Sequence, residues 1–205
     1  MNSIFMVVGS LIGVIAIAVS AFYFLGKNFN RLNAEFGPTV KVDQADRGKR
    51  AAKTLAEAKD EYERWVALGD VALWQAEPAT AEQAKAVATE LLALTDNYRS
   101  DWNYGNAIHK ANSGLGRLAL RQGDMAAARG YLLASARSKG SPQMNTFGPN
   151  MLFAGEMAAA GEKQAVIEYF DLCATFWKME DGRLAVWKRD VAEGRAPNFG
   201  ANILY

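Results

Sequence analysis

Beyond about residue 45, apolar residues recur at spacings of three and four, the period of a helix with one covered face. The pattern is clearest from Leu115 to Ser135. Ile108, Ala111, Leu115 and Leu118 form one stripe, Gly123-Asp124 interrupts it, and Ala127, Ala128, Tyr131 and Leu132 open a second. The spacing therefore predicts two short helices hinged at Gly123. Small residues at Gly116 and Ala128 allow a close approach, and neither helix can cover its own stripe, so the unit requires neighbours.

The flanking sequence supplies them. From Ala45 a helical pattern places Leu55, Ala58, Tyr62, Trp65, Val66, Ala72 and Leu73 on one face, with Lys53/Glu57 and Asp60/Arg64 at i,i+4 on the other. Pro78 breaks this run. Thr80 and Gln83 then read as a capping box opening a helix through Ala84, Val87, Leu91 and Leu94. Asn97 to Gly105 reads as a loop whose Trp102 and Tyr104 either pack beneath it or face a partner. Gly140-Ser141-Pro142 ends the middle unit, and Phe147-Gly148-Pro149-Asn150 opens the next. A last helix near Gly182 to Glu193 shows Leu184, Trp187 and Val191 on one face and Lys188 and Arg189 on the other. The closing Phe199 to Tyr205 is too apolar for a solvated end and is expected to dock on the rest of the array or on another subunit.

The units repeat. Gly161-Glu162-Lys163 aligns with Gly123-Asp124-Met125, 38 residues earlier, and Trp65, Leu68, Gly69 and Ala72 align with a frame that returns as Leu115, Gly116 and Ala119. This frame resembles the tetratricopeptide repeat, W-x2-L-G-x2-Y followed by a Gly turn and A-x3-F. In the middle unit Leu115, Gly116, Gly123, Ala128 and Leu132 occupy the family's positions, with Ala119 in place of Tyr. In the third, Gly161, Phe170 and Cys173 fit, while Ala154 replaces the Gly. The first interval, Gly69 to Gly116, is 47 residues, longer than the family period of about 34, so the repeats are degenerate. The stretch from about Tyr98 onward, with GNAIHKAN, GSPQMNTFGPNM and PNFGANILY, is also similar to bacterial repeat proteins of uncharacterised function, a similarity that implies no activity.

The N-terminus is of another kind. Ile4 to Leu25 is 22 residues without a charge, about 33 Å as a helix against a hydrocarbon core of roughly 30 Å. It predicts a transmembrane helix. A cleaved signal peptide is the rival, with Val19-Ser20-Ala21 as a cleavage site, but the run is long for one and no basic residues precede it. Gly9, Gly13, Ala16 and Ser20 share one face and form a candidate packing surface in lipid. Phe22, Tyr23, Phe24 and Phe29 suit the interface. Lys27, Arg31, Lys41, Arg47, Lys49, Arg50 and Lys53 all follow the span, which places the downstream domain in the cytoplasm by the positive-inside bias. The expected organisation is an anchor over 1–26, a linker over 27–44 broken by Gly37-Pro38, and a repeat domain over 45–205.

Composition narrows the chemistry. A net charge of +1 makes no whole-chain case for nucleic acid. One Cys and one His leave neither an intrachain disulfide nor a Cys/His zinc site, and no motif calls for a cofactor. Cys173 falls where the repeat packs a small apolar residue, so it reads as a buried structural thiol.

The polar run Asn106, His109, Lys110, Ser113, Arg117, Arg121 lies largely on one side of its helix, away from Ile108, Leu115 and Leu118. In tetratricopeptide proteins the matching side lines a concave groove whose basic residues hold a peptide carboxylate. The resemblance thus implies groove roles for Lys110, Ser113, Arg117 and Arg121. On the third unit the matching positions are Met151, Gly155, Ala158 and Ala159, small or apolar, and a groove basic at one end and smooth at the other suits an acidic peptide end. The bland alternative is a solvated helix face. His109 with Asn106 and Asn112 frames a second, hydrolase-type reading, which lacks a nearby orienting carboxylate and nucleophile.

The expectation is an all-α protein: one transmembrane helix, then an α-solenoid of about three degenerate tetratricopeptide-like hairpins with a capping helix. The function expected is that of a non-enzymatic interaction or scaffold module at the inner membrane, an accessory subunit of a membrane complex. No catalytic, cofactor or metal residue is named.

Overall fold

The computed structural model describes residues 43–74 and 81–204. Among them every regular element is helical: α1 (Gln44–Ala56), α2 (Glu61–Trp74), α3 (Ala81–Thr95), α4 (Tyr104–Arg121), α5 (Met125–Ala136), α6 (Pro142–Thr146), α7 (Leu152–Ala159), α8 (Lys163–Phe176) and α9 (Arg183–Ala192), with 3₁₀ turns at Asp96–Tyr98 and Gly200–Ile203. They belong to a compact unit, Val42–Tyr205. The expected membrane span, its face Gly9, Gly13, Ala16 and Ser20, and the linker up to residue 42 lie outside the described residues, as does the proposed cap Thr80. No helix among the described residues is long and apolar enough to cross a membrane.

Where the sequence expected one long helix from Ala45, the chain instead turns between Ala56 and Glu61. Asp60 accepts a hydrogen bond from the Glu63 amide at 2.8 Å, and Glu63 accepts one from the Lys59 amide at 2.8 Å, a reciprocal arrangement that satisfies two amides at the start of α2. Asp60 is therefore committed to capping. Its expected partner Arg64 reaches across to Glu90 on α3, with Nε 2.6 Å from Oε1. Lys53 and Glu57 do approach at i,i+4, at 3.8 Å.

The other breaks follow local chemistry. Gly123 (φ 77°) and Gly161 (φ 87°) adopt the left-handed conformation that ends α4 and α7. Asp124 caps α5 by accepting from the Ala127 amide at 2.9 Å. Ser141 does the same for α6 through Met144 at 3.0 Å, with Pro142 at its first position.

The central helices pack against several neighbours: α2 with α1, α3 and α4; α4 with α2, α3, α5 and α7; α8 with α5, α7 and α9. Two apolar clusters result. Trp65, Leu68, Leu91, Ala111 and Leu115 join α2, α3 and α4, while Leu132, Phe153, Val166, Phe170 and Trp187 join α5, α7, α8 and α9. Tyr131 touches both clusters. In the first, Trp65 stacks on Tyr98 with ring centroids 4.4 Å apart and donates from Nε1 to Thr95 Oγ1 at 2.9 Å. In the second, the tail docks on the helices of its own chain. Phe199 meets Trp187 edge-on at 4.9 Å, and the Met151 amide donates to the Asn202 carbonyl at 2.7 Å.

Glycines set the closest approaches. A Cβ at Gly114 would lie 2.3 Å from the Ala72 carbonyl oxygen, so α4 and α2 meet backbone to backbone. A Cβ at Gly116 would lie 2.2 Å from the Phe153 ring of α7.

Candidate functional site

Most of the polar side of α4 does not face solvent. With α2, α3, α5 and α7 packed around it, α4 has little free circumference, and Asn103, Asn106, His109, Asn112, Ser113 and Arg117 are all buried. Such groups require internal partners, and nearly all find them. Asn106 donates to Asn103 Oδ1 at 2.6 Å and Gln143 Oε1 at 3.1 Å, and accepts from Ser141 Oγ at 2.8 Å. Asn112 turns back to the Ile108 carbonyl at 2.8 Å.

The sequence placed Arg117 at an exposed groove position. In the structure its side chain is 1% exposed. It donates from Nε and Nη2 to Glu156 of α7 at 2.8 and 2.7 Å, from Nη1 to the Leu73 carbonyl of α2 at 2.8 Å, and from Nη2 to Gln44 of α1 at 2.6 Å. One guanidinium thus ties three other helices to α4, using the planar fork that suits it to such sites. Lys110 leans across Gly69 to Asp70 of α2, with Nζ 2.6 Å from Oδ1. Ser113 is enclosed, its hydroxyl without a hydrogen-bond partner among the described residues. Arg121, one turn on, is exposed at the end of α4.

These partners were missed because they lie far away in sequence. Arg117–Glu156 spans 39 positions and Lys110–Asp70 spans 40. Opposite charges at this recurring separation were the available signal.

His109 sits beside Ser113 on the same buried face. Its Nδ1 lies 3.3 Å from the Ser135 carbonyl. Burial pushes its pKa down to about 4, and the Lys110 charge adds to this, outweighing the Ser135 and Asn150 carbonyls, which favour the charged form. The ring is a neutral packed group at pH 7. No carboxylate figures among the described groups that shift its pKa. Cys173 is fully buried, and desolvation pushes its thiol pKa well up. No group of three or more His, Cys, Asp or Glu side chains able to hold a metal ion occurs among the described residues.

The third unit differs. Met151, expected on the groove side, is a core residue with no exposure. Gly155, Ala158 and Ala159, however, line a cleft of about 350 Å³ together with Val191 and Gly194 at the end of α9. Ala196, Pro197 and Phe199 of the tail form another wall, and Lys163 and Arg195 supply its charges. Arg195 is held by Asp190, at 2.6 Å from Nη2, and also by Glu193. Lys163, which the sequence did not single out, has no carboxylate partner among the described residues, and a Cβ at Gly194 would lie 3.1 Å from its Nζ. A wider and shallower trough of about 690 Å³ runs between α1 and α2, over Tyr62 and Val66. Its acidic groups Glu57, Glu63 and Asp70 are already engaged, by Lys53, by the Lys59 amide and by Lys110.

Comparison with protein-family models, with curated proteins and with solved structures finds no match to this chain.

Proposed function

We propose that this chain is a membrane-anchored interaction module, an accessory or scaffold subunit of a membrane protein complex, built as an α-solenoid of three tetratricopeptide-like hairpins. The hairpins are α2/α3, α4/α5 and α7/α8, with α9 as the cap and α1 packed at the opening end. The supporting observation is the stacking of successive hairpins: first helices touch first helices, α2 on α4 and α4 on α7, and between the last two hairpins the second helices also touch, α5 on α8. Gly69 and Gly116, matched by the repeat frame, play matched parts, since each lies where the first helix of the next hairpin presses in, through Lys110 and Phe153 respectively. Such an array offers surface rather than an enclosed reaction chamber. Here that surface includes the small-residue cleft of the third hairpin and the exposed side chains of Trp102 and Phe147.

The uncharged run from Ile4 to Leu25 supports a single-pass anchor in the inner membrane, and the basic residues after it support a cytoplasmic array. Purification of the full chain from detergent-solubilised membranes tests the reading. A stoichiometric protein partner that survives washing supports it, and recovery of the chain alone sinks it. Orientation is tested by impermeant maleimide labelling of a Cys introduced at exposed Gly130 in intact cells, where efficient labelling would show the array outside.

A further inference from the structure

We propose that the end of the helical domain around α6 rests on a lipid bilayer, with Trp102, Phe147 and Met179 set among the headgroups and Arg137, Lys139 and Lys178 facing anionic lipid. The proposal rests on the membrane-anchored reading above, because a patch of this size binds only marginally unless a second signal holds the bilayer close. It adds a reversible membrane contact made by the helical domain itself.

Trp102, Phe147 and Met179 are the three most exposed large apolar side chains among the described residues, at 58, 59 and 54%. One such residue on a surface is ordinary, but three at one end form a patch. α6 brings them together. It is five residues long, about 7.5 Å as a helix, so its two flanks lie close. On one flank Gln143 accepts a hydrogen bond from Asn106 at 3.1 Å, and a Cβ at Gly105 would lie 2.1 Å from the Gly140 carbonyl oxygen, which sets the turn carrying Trp102 against the start of α6. On the other the Asn145 carbonyl accepts from the Met179 amide at 3.3 Å, and Asn145 Oδ1 accepts from the Lys178 amide at 3.0 Å. Phe147 follows directly at the end of α6.

Charge and shape select the occupant. The acidic groups nearby are held within the chain: Asp96 by Arg99 at 2.6 Å, Asp101 by the Asn103 amide at 2.7 Å, Glu180 by the Leu184 amide at 2.9 Å and Asp181 by Arg183 at 3.6 Å. Arg137, Lys139 and Lys178 are exposed and have no carboxylate partner among the described residues. Aromatic rings ringed by flexible cations are the chemistry of the headgroup region, where a Trp has an apolar body and a polar edge to satisfy and a Lys stem can lie along apolar surface. The three knobs stand on separate loops and line neither cleft described above. A protein partner anchors in packed pockets, whereas a bilayer accepts separate knobs without a matching shape. The cytoplasmic leaflet, the side supported by the basic residues after Leu25, is also the anionic one.

The test uses the full chain in nanodiscs of phosphatidylcholine with phosphatidylglycerol, the phosphatidylcholine either brominated on its acyl chains or not. All five Trp residues lie in the helical domain, and Trp65, Trp74, Trp177 and Trp187 are buried, so the emission that wild type has and Trp102→Phe lacks belongs to Trp102. Brominated lipid should quench that share. Phe147→Ser/Met179→Ser, at exposed positions, should abolish the quenching while the circular dichroism melt stays unchanged. Lys139→Gln/Lys178→Gln should lower the docked-to-free ratio about 25-fold, since each Lys near an anionic surface contributes about five-fold, and leaving out phosphatidylglycerol should do the same. No bromine-dependent loss from Trp102, or a loss indifferent to both double variants, overturns the proposal. Trp102→benzoylphenylalanine, irradiated in native membranes, sets the rival occupant against lipid: a protein adduct at that position overturns the proposal as well. Alkaline carbonate washing separates this failure from that of the broader reading. A chain that resists the wash while Trp102 stays unquenched keeps its anchor and loses the patch, whereas a chain washed off the membrane overturns the anchor and with it the contact that depends on it.

Discussion

Arg117 of α4 and Glu156 of α7 meet as a two-pronged pair, Nε to Oε2 at 2.8 Å and Nη2 to Oε1 at 2.7 Å. The guanidinium is buried and the carboxylate partly so. Removing one partner of such a pair leaves an uncompensated charge inside the protein, and that cost exceeds the net worth of the pair itself. Arg117→Glu should therefore lower stability by about 3–5 kcal/mol rather than leave the fold intact, because it sets a second carboxylate against Glu156. The double variant Arg117→Met/Glu156→Leu should recover most of that loss. Urea midpoints for the single and double variants give the coupling, and an unshifted midpoint for Arg117→Glu would show that this tie is not formed.

Two glycines should respond to alanine in opposite directions. Gly114 has the Ala72 backbone where its Cβ would go, and backbone cannot swing aside, so Gly114→Ala should destabilise by about 1–3 kcal/mol. Gly130 lies inside α5 with nothing within 4 Å of its added Cβ, so Gly130→Ala should gain about 0.5–1 kcal/mol from helix propensity. Thermal melts of the two variants decide it. If both lose stability, or Gly114→Ala is neutral, the packing of α2 on α4 is misplaced.

Stability should fall on acidification through His109. In the folded chain its pKa is pushed down to about 4, below the ordinary value of 6.5. Between those values the unfolded chain binds the proton that the folded one refuses, so stability rises with pH there. The contribution is intact above about pH 6.5, shrinks as pH falls, and by about pH 4 amounts to a loss of ~3 kcal/mol. Denaturation at a series of pH values should show this slope in the wild type and its loss in His109→Asn. Parallel curves would mean that the ring is solvated.

Cys173 should be silent to thiol reagents in the native state. It is fully buried, and desolvation holds it as the thiol, which is the unreactive form. Ellman's reagent should therefore react at the rate of unfolding and no faster. A rapid phase in native buffer would contradict its place in the core.

Much of the architecture was legible locally. Gly123 and Gly161 end helices because the turn needs positive φ, and Leu184, Trp187 and Val191 cover one side of α9 because they recur at helical spacing. The turn before α2 was missed for an equally local reason. Asp60 and Arg64 stand at the spacing of a helical ion pair, yet an Asp followed three residues later by Glu63 also caps a helix, and the cap prevailed.

The site divides along the same line. A sequence determines what can be read within one turn or one helix: period, breaks, caps, and which helix carries a polar stripe. It therefore determined that the described chain is helical and that α4 is amphipathic. Amphipathicity does not say which side meets water, because a helix with neighbours on all sides buries both faces, and polar residues there survive by finding partners. Only the tertiary structure decided that Arg117 closes on Glu156, Gln44 and Leu73, that Lys110 closes on Asp70, and that Met151 is core. It also decided that Gly155, Ala158 and Lys163 share a cleft with a tail some 40 residues further on. Those are choices among distant groups, made by packing and by the cost of leaving a buried charge alone.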